Sequence, residues 1–350
     1  MTIFTGAVPG GTAAEAASLT VTIAADRVDP HDAETSLREA VAFANAGGPD
    51  GNAATAETIT FAPGLAGATI RLDGGDGFDP SGTDAPGGAL VITAPLTVDA
   101  SAAPGLVLSG DRAGDDAAAG GITDVAASLA AGRLADNVRV LDIADPAAAT
   151  TLRGLVITGG HTTGDNAGFL DTTHSGGGVR SLAPLVVEAS TVAGNATAGL
   201  YAAGGGVFGA GTVRLADSTL AGNATAGDGA AGGGLYAYGA ITLETATVRD
   251  NATSGDFAPG GGVYGYNGVS LAASGVSGNA TAGALSHGGG IAGLDITMAA
   301  STASGNATAG PQAYGGALYG YGAVSLTAST LDDNATTSDL AKGGGLFANG

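Results

Sequence analysis

Six Asn-Ala-Thr triplets, at Asn195, Asn223, Asn251, Asn279, Asn306 and Asn334, are the first residues in this chain with an evident chemistry. Asn-x-Thr is the acceptor pattern for N-linked sugar, so each side-chain amide is a candidate modification site. The same amide both donates and accepts, so a file of Asn in register can instead hydrogen-bond along itself. A glycan acceptor needs exposure and no fixed spacing, whereas a ladder needs the same position in every repeat.

Carboxylates supply the next candidates. The stretch "GGDGFDPSGTD", Gly74 to Asp84, fits G-G-x-G-x-D, the calcium-binding β-roll nonapeptide. Asp73, Asp76, Asp79 and Asp84 would give an oxygen-rich loop site for Ca²⁺. The pattern occurs once and Ser81 stands where a large apolar residue is expected, so the segment reads first as an acidic turn and second as a calcium site. His161 and His174 flank the long loop "HTTGDNAGFLDTTHS", which also carries Asp165 and Asp171. Long loops often carry function. The four His (31, 161, 174 and 287) show no metal-ligand spacing.

Glycine runs begin at 176, 204, 232, 260, 288, 315 and 343 and keep step with the Asn triplets. The triplets follow one another at intervals of 28, 28, 28, 27 and 28 residues. The lost residue falls in "GGGIAGLDITM", most simply in the turn around Gly293–Asp295. A fixed period of this length makes a solenoid, propeller or array the first hypothesis. Within each unit, apolar residues fall in three short period-2 segments, such as Val207, then Val213 and Leu215, then Leu220. That is strand patterning, and three short strands per 28 residues indicates a parallel β-helix rather than a propeller blade. Each coil rises ~4.8 Å, so six in-register Asn read as a buried ladder.

The same parity places an aromatic file outside the coil. Phe208, Tyr236, Tyr264, Tyr319 and Phe347 each follow an inward apolar residue, with Ala292 interrupting. Tyr238, Tyr266 and Tyr321 form a second file two residues on. Exposed stacked rings could bind the rings of a glycan, or could cover a sheet face. The seven residues between "NA" and each glycine run vary most, as binding loops on one face of a repeat protein do. The triplet Thr falls on the same side as its Asn, which disfavours an ice-binding Thr face.

Ahead of the regular repeats (176–350), residues 61–175 are strand-rich without a 28-residue period and read as wider, irregular coils, with an excursion over 112–132. Residues 1–60 read as a cap carrying an amphipathic helix over 36–46: Ser36 and Glu39 form a capping box, and Gly47-Gly48-Pro49 ends it. "TSLREAVAFANA" followed by "AETITFAP" resembles the CSLREA domain that opens secreted bacterial right-handed parallel β-helix proteins, with Thr35 where that motif has Cys. The repeats resemble those of polymorphic outer-membrane proteins; "GGALY" from Gly315 with "LDDN" from Leu331 is the nearest copy. The resemblance implies a secreted or cell-surface, adhesin-like polypeptide, mostly without assigned activity. The last strand opens a new coil, so a longer native chain is expected.

Composition bounds the rest. With 32 acidic against 11 basic residues the formal net charge is −21. Such a surface disfavours nucleic acid, which is held by clustered Lys and Arg. The absence of Cys excludes disulfides and thiolate chemistry. The N-terminus lacks the pattern of a Sec signal, and no apolar run approaches the ~18–20 residues that span a bilayer. Export without a Sec signal, as in type I secretion, is therefore expected, with no membrane insertion in this segment. The leading expectation is a non-catalytic stalk or adhesin-like passenger with extracellular glycans or cell-surface components as partners, needing no cofactor beyond an optional Ca²⁺. The alternative is a carbohydrate-active β-helix enzyme, a polysaccharide lyase or hydrolase using paired carboxylates on adjacent coils. Acids in the repeats (Asp217, Glu244, Asp295) read as single and scattered, and Asp250 and Asp333 share a position three coils apart, so no catalytic residue is assigned.

Overall fold

A computed structural model describes residues 18–29, 32–72, 88–114, 134 and 136–350. Its strands form parallel pairs throughout, in four long sheets wound as a right-handed parallel β-helix. One coil shows the path. After the glycine run at Gly204 the chain runs through Val207–Gly209 (sheet 1), Val213–Ala216 (sheet 2), Thr219–Ala221 (sheet 3) and Ala224–Thr225 (sheet 4). The next coil then repeats the circuit one strand up, Val213 pairing with Ile241 and Leu220 with Val248. Sheets 1 to 4 contain nine, ten, nine and seven strands among the described residues. The three expected strands per coil are present. Sheet 4 is an addition: it falls on the Ala-Thr of each triplet, and two residues are too few to show a period.

Inward residues follow the expected alternation. Val207, Val213, Leu215 and Leu220 and their equivalents one coil up and down are buried in a single continuous core. The missing residue lies where the spacing puts it: two residues, Leu294 and Asp295, join sheets 1 and 2 in that coil, against three in its neighbours. Register recovers at once, with Ile296 paired to Val269 and Val324.

The glycine runs have a steric cause. The first glycine of each run turns the chain with positive φ, as at Gly204 (+69°). A Cβ on the second, Gly205, would meet the carbonyl oxygen of Ala224 at 2.2 Å, and one on Gly206 would meet the Asn223 side chain at 2.8 Å. The run is thus the mould into which the Asn file is cast.

Helix α1 (Leu37–Asn45) closes the N-terminal end. Ser36 Oγ accepts from the Glu39 N–H while Glu39 accepts from the Ser36 N–H, the reciprocal cap its sequence announces. Leu37, Ala40, Val41 and Ala44 bury against the first coils in the common core. Asn45 donates to Val91 O (2.7 Å) and accepts from Thr93 N (2.8 Å), satisfying the free edge of the strand Leu90–Ile92, the first in sheet 1. Arg38 forks onto Asp26 (2.6 and 2.7 Å) and adds a bond to Gly88 O. Side chains therefore do for this edge what a further coil would do. Among the described residues no helix is long and apolar enough to cross a membrane.

Candidate functional site

Each triplet sits where sheet 3 turns into sheet 4, and its Asn points into the coil. Asn223 Nδ2 donates to Asn251 Oδ1 (2.9 Å) and to Val192 O (3.0 Å), and the Asn223 backbone N–H donates to the same Oδ1 (3.0 Å). The pattern repeats from Asn195 to Asn334, with Gly160 N donating to the first Oδ1. The five Asn from Asn195 to Asn306 are 0% exposed. An amide nitrogen so placed cannot receive a sugar on the folded chain, so the six Asn are a structural ladder. The triplet Thr from Thr197 to Thr308 are also buried; Thr225, Thr253 and Thr281 donate to the carbonyl five residues on at 2.5, 2.6 and 2.7 Å. A second polar file was not read from the sequence. Ser190, Ser218, Ser274, Ser301 and Ser329 stand five residues before their Asn, and all five hydroxyls accept an N–H from the same position one coil back, as Ser190 N to Ser218 Oγ (3.1 Å). Their constant offset from Asn was the available signal, blurred by Ala246.

The aromatic file is only partly what parity suggests. Phe208, Tyr236 and Tyr264 stack at 5.5 and 5.2 Å, nearly parallel. They lie outside the main core but not in water: Phe208 is 1%, Tyr236 6% and Tyr319 5% exposed. Tyr238 lies edge-on over Phe208 and Tyr236 (5.7 and 5.2 Å), making a second small core on the outer face of sheet 1 with Ala203 and Ala231. These rings cover a sheet face instead of offering an open platform. Where Ala292 lacks a ring, two neighbours fill the gap. His287 stacks on Tyr319 (4.3 Å) and Tyr314 (5.1 Å), while Tyr321 turns its ring toward Tyr264 (6.4 Å). Burial holds the His287 imidazole down at about 4, and its Nδ1 accepts from Tyr314 N (3.1 Å). Burial also raises the Tyr236 phenol, so its hydroxyl is a neutral donor. Tyr266 (58%) and Tyr321 (40%) are the rings of this group that stay open to water.

The loop from His161 to Ser175 is built as a clasp. Arg139, buried beneath it, donates to the carbonyls of Thr173, Ser175 and Gly176 (2.5, 3.0 and 3.0 Å) and pairs with Asp142, which also takes Arg180 at 2.6 Å. Burial lowers the Arg139 guanidinium to about 10, which leaves it charged at neutral pH. His161 and His174 are not brought together as ligands: His161 Nδ1 meets Leu134 O, and the His174 ring packs on Gly164. Asp171 accepts from Ala167 N, Thr173 N and the Thr173 hydroxyl, bonds that hold its carboxyl at about 2. Asp165 accepts from Leu200 N one coil on.

One reading of the acids is corrected. Asp228 and Asp256 do occupy equivalent positions in adjacent coils, five residues after their Asn, so paired carboxylates are present in the repeats. Each caps the next coil, Asp228 Oδ1 accepting from Asp256 N (2.9 Å) and Asp256 Oδ1 from Ala284 N (2.7 Å). The two therefore have equivalent surroundings, whereas acid and base roles require dissimilar ones. Among the described residues no three His, Asp or Glu side chains gather to hold a metal ion. The proposed calcium ligands Asp73, Asp76, Asp79 and Asp84 lie outside the described residues. Comparison with family models, with curated proteins and with solved structures gives no match.

Proposed function

We propose that the chain is a non-catalytic, secreted or cell-surface β-helix, a stalk or adhesin-like passenger of the kind its CSLREA-like opening and outer-membrane-protein-like repeats resemble. The observation that carries the reading is how the polar side chains are used. The Asn amides, Ser and Thr hydroxyls and the Asp228 and Asp256 carboxylates each bond backbone of their own or an adjacent coil. Such a frame resists bending and holds surface groups at fixed intervals. Tyr266 and Tyr321 are the surface rings best placed to meet a sugar face, with Tyr238 at their edge. Their equivalent positions stand two coils apart, roughly 10 Å along the axis.

The test is binding of the intact chain to a panel of extracellular glycans, with Tyr266→Ala and Tyr321→Ala beside it. Retention that falls at least fivefold in both variants supports glycan contact; retention unchanged in both removes the tyrosines from the role. Incubation with acidic polysaccharides, with and without Ca²⁺, addresses the enzyme alternative. New reducing ends or unsaturated products would replace the structural reading.

A further inference from the structure

The corner between sheet 4 and sheet 1 carries bulky side chains on a backbone that such residues seldom adopt. Six residues after each ladder Asn, Tyr201, Phe257, Leu285, Gln312 and Leu340 have φ of +55°, +55°, +56°, +57° and +63°. Positive φ is ordinary for glycine and an outlier for large residues, and retained strain of this kind points to use of the side chain rather than of the turn. The corner between sheets 2 and 3 makes the contrast. It has the same positive φ, but with Ala189, Asp217, Thr245, Ala273, Ala300 and Ala328. The geometry alone therefore does not call for bulk.

These side chains form one continuous edge. Each corner N–H bonds the carbonyl of the corner above, Tyr201 to Asp228, Phe257 to Ala284 and Leu285 to Pro311, all at 2.9 Å. Gly229 takes the position in the second coil because the Tyr201 ring fills its side-chain space, 2.4 Å from where a Cβ would stand. The Phe169 ring then packs on Tyr201 (4.6 Å), extending the edge into the clasp loop. Phe257 is 60%, Leu340 73%, Phe169 63% and Leu170 91% exposed. Interleaved with them are the exposed acids Asp165, Asp228, Asp256 and Asp339. Lys342, two residues after Leu340, is drawn onto the Tyr314 ring.

We infer that this apolar, acidic ridge docks an amphipathic helix bearing Lys or Arg beside its apolar stripe. Charge selects the class of partner: a second copy would set the same acids against one another, and anionic surfaces are repelled. Spacing selects the shape. The six corners from Tyr201 to Leu340 span roughly 24 Å at the strand repeat, and five helical turns span roughly 27 Å. Apolar residues on successive turns therefore meet Tyr201, Phe257, Leu285 and Leu340, the Tyr201 ring also covering the corner at Gly229, and basic neighbours reach Asp228, Asp256 and Asp339.

Fluorescence anisotropy of the full chain with a labelled Leu/Lys peptide of about 18 residues, or five turns, tests this. The peptide with Leu at helical period is expected to bind at least tenfold more tightly than an isomer of the same composition without that period. Phe257→Ser with Leu340→Ser is expected to weaken it at least tenfold. Phe257→Gly, which suits the positive φ and so preserves the fold, is expected to weaken it severalfold. Asp228→Asn with Asp256→Asn keeps both backbone caps and is expected to flatten the salt dependence. Equal weakening by Asp50→Asn with Asp145→Asn, which remove the same charge elsewhere, would overturn the proposal, as would indifference to Phe257 and Leu340. Sedimentation showing a dimer that Phe257→Ser dissolves would assign the ridge to a second copy and also overturn it.

Discussion

The Asn file couples the smallest chemical unit of this protein to its largest dimension. From Asn223 on, each Oδ1 receives two donors from the coil before it, so one side chain fixes the approach of two backbones. Removing the Asn251 side chain strands both donors of Asn223 and takes one donor each from Leu220 O and Asn279 Oδ1. Asn251→Ala is therefore expected to destabilise the chain by ~1–3 kcal/mol in urea unfolding; a change within ±0.5 would show that water satisfies these groups. A titrating residue gives a second prediction. His287 is held at about 4 in the fold against an ordinary 6.5, because burial disfavours its charged form. The folded state thus binds fewer protons between those values. The contribution is complete above pH 6.5 and is lost as pH falls from there to about 4. Thermal unfolding across that window should show a loss of stability that His287→Phe, which keeps the ring, does not share. Equal pH profiles for the two proteins would place the imidazole in water.

At the level of elements, what the sequence made legible was whatever repeats with a fixed residue type. The three apolar strands, the Asn ladder, the α1 cap and the shortened turn at Leu294–Asp295 were all readable from spacing. Features carried by backbone shape were hidden. The corners share a conformation without keeping one residue type, Asp217 and Thr245 standing among Ala at one and Tyr201, Phe257 and Gln312 among Leu at the other, so no fixed pattern marks them. Burial of Phe208 and Tyr236 was hidden for another reason: parity tells which side of a strand a ring takes, but not that Tyr238 will fold across it. Asp228 and Asp256 escaped because their segment varies so much that two like residues in it draw no notice. Glycine outside the runs is also explicable only from packing. A Cβ on Gly227 would lie 1.9 Å from Gly199 O, and Gly255, Gly283 and Gly310 make the same approach. Gly227→Ala must push adjacent coils away from each other at sheet 4, which is expected to cost ~1–3 kcal/mol as overpacking does. Gly51→Ala meets no neighbouring atom. It carries the penalty of its positive φ alone (+68°), about 1–2 kcal/mol, so the smaller loss in thermal unfolding should be its own.

For the whole molecule, the ladders make every regular coil interchangeable with the next. Stability in such an array is close to a sum of coil and interface terms, each coil touching only its neighbours. Removing residues 232–259 would join Ala231 to Gly260 and delete one 28-residue unit. Asn223 would then face Asn279, Leu220 would face Val276, and Phe208 would stack on Tyr264. Every file closes again because these positions already bear one relation to the coil in between. The shortened chain is expected to keep its β-sheet circular dichroism and to lose only a few degrees in melting temperature. Removing 27 residues instead, 233–259, adds a residue to the glycine run ahead of sheet 1. It moves the strand against its partners by one and turns its inward side chains outward. That variant should aggregate or unfold. If the two deletions behave alike, register is not what holds the coils together, and the stability of the solenoid rests on unspecific burial.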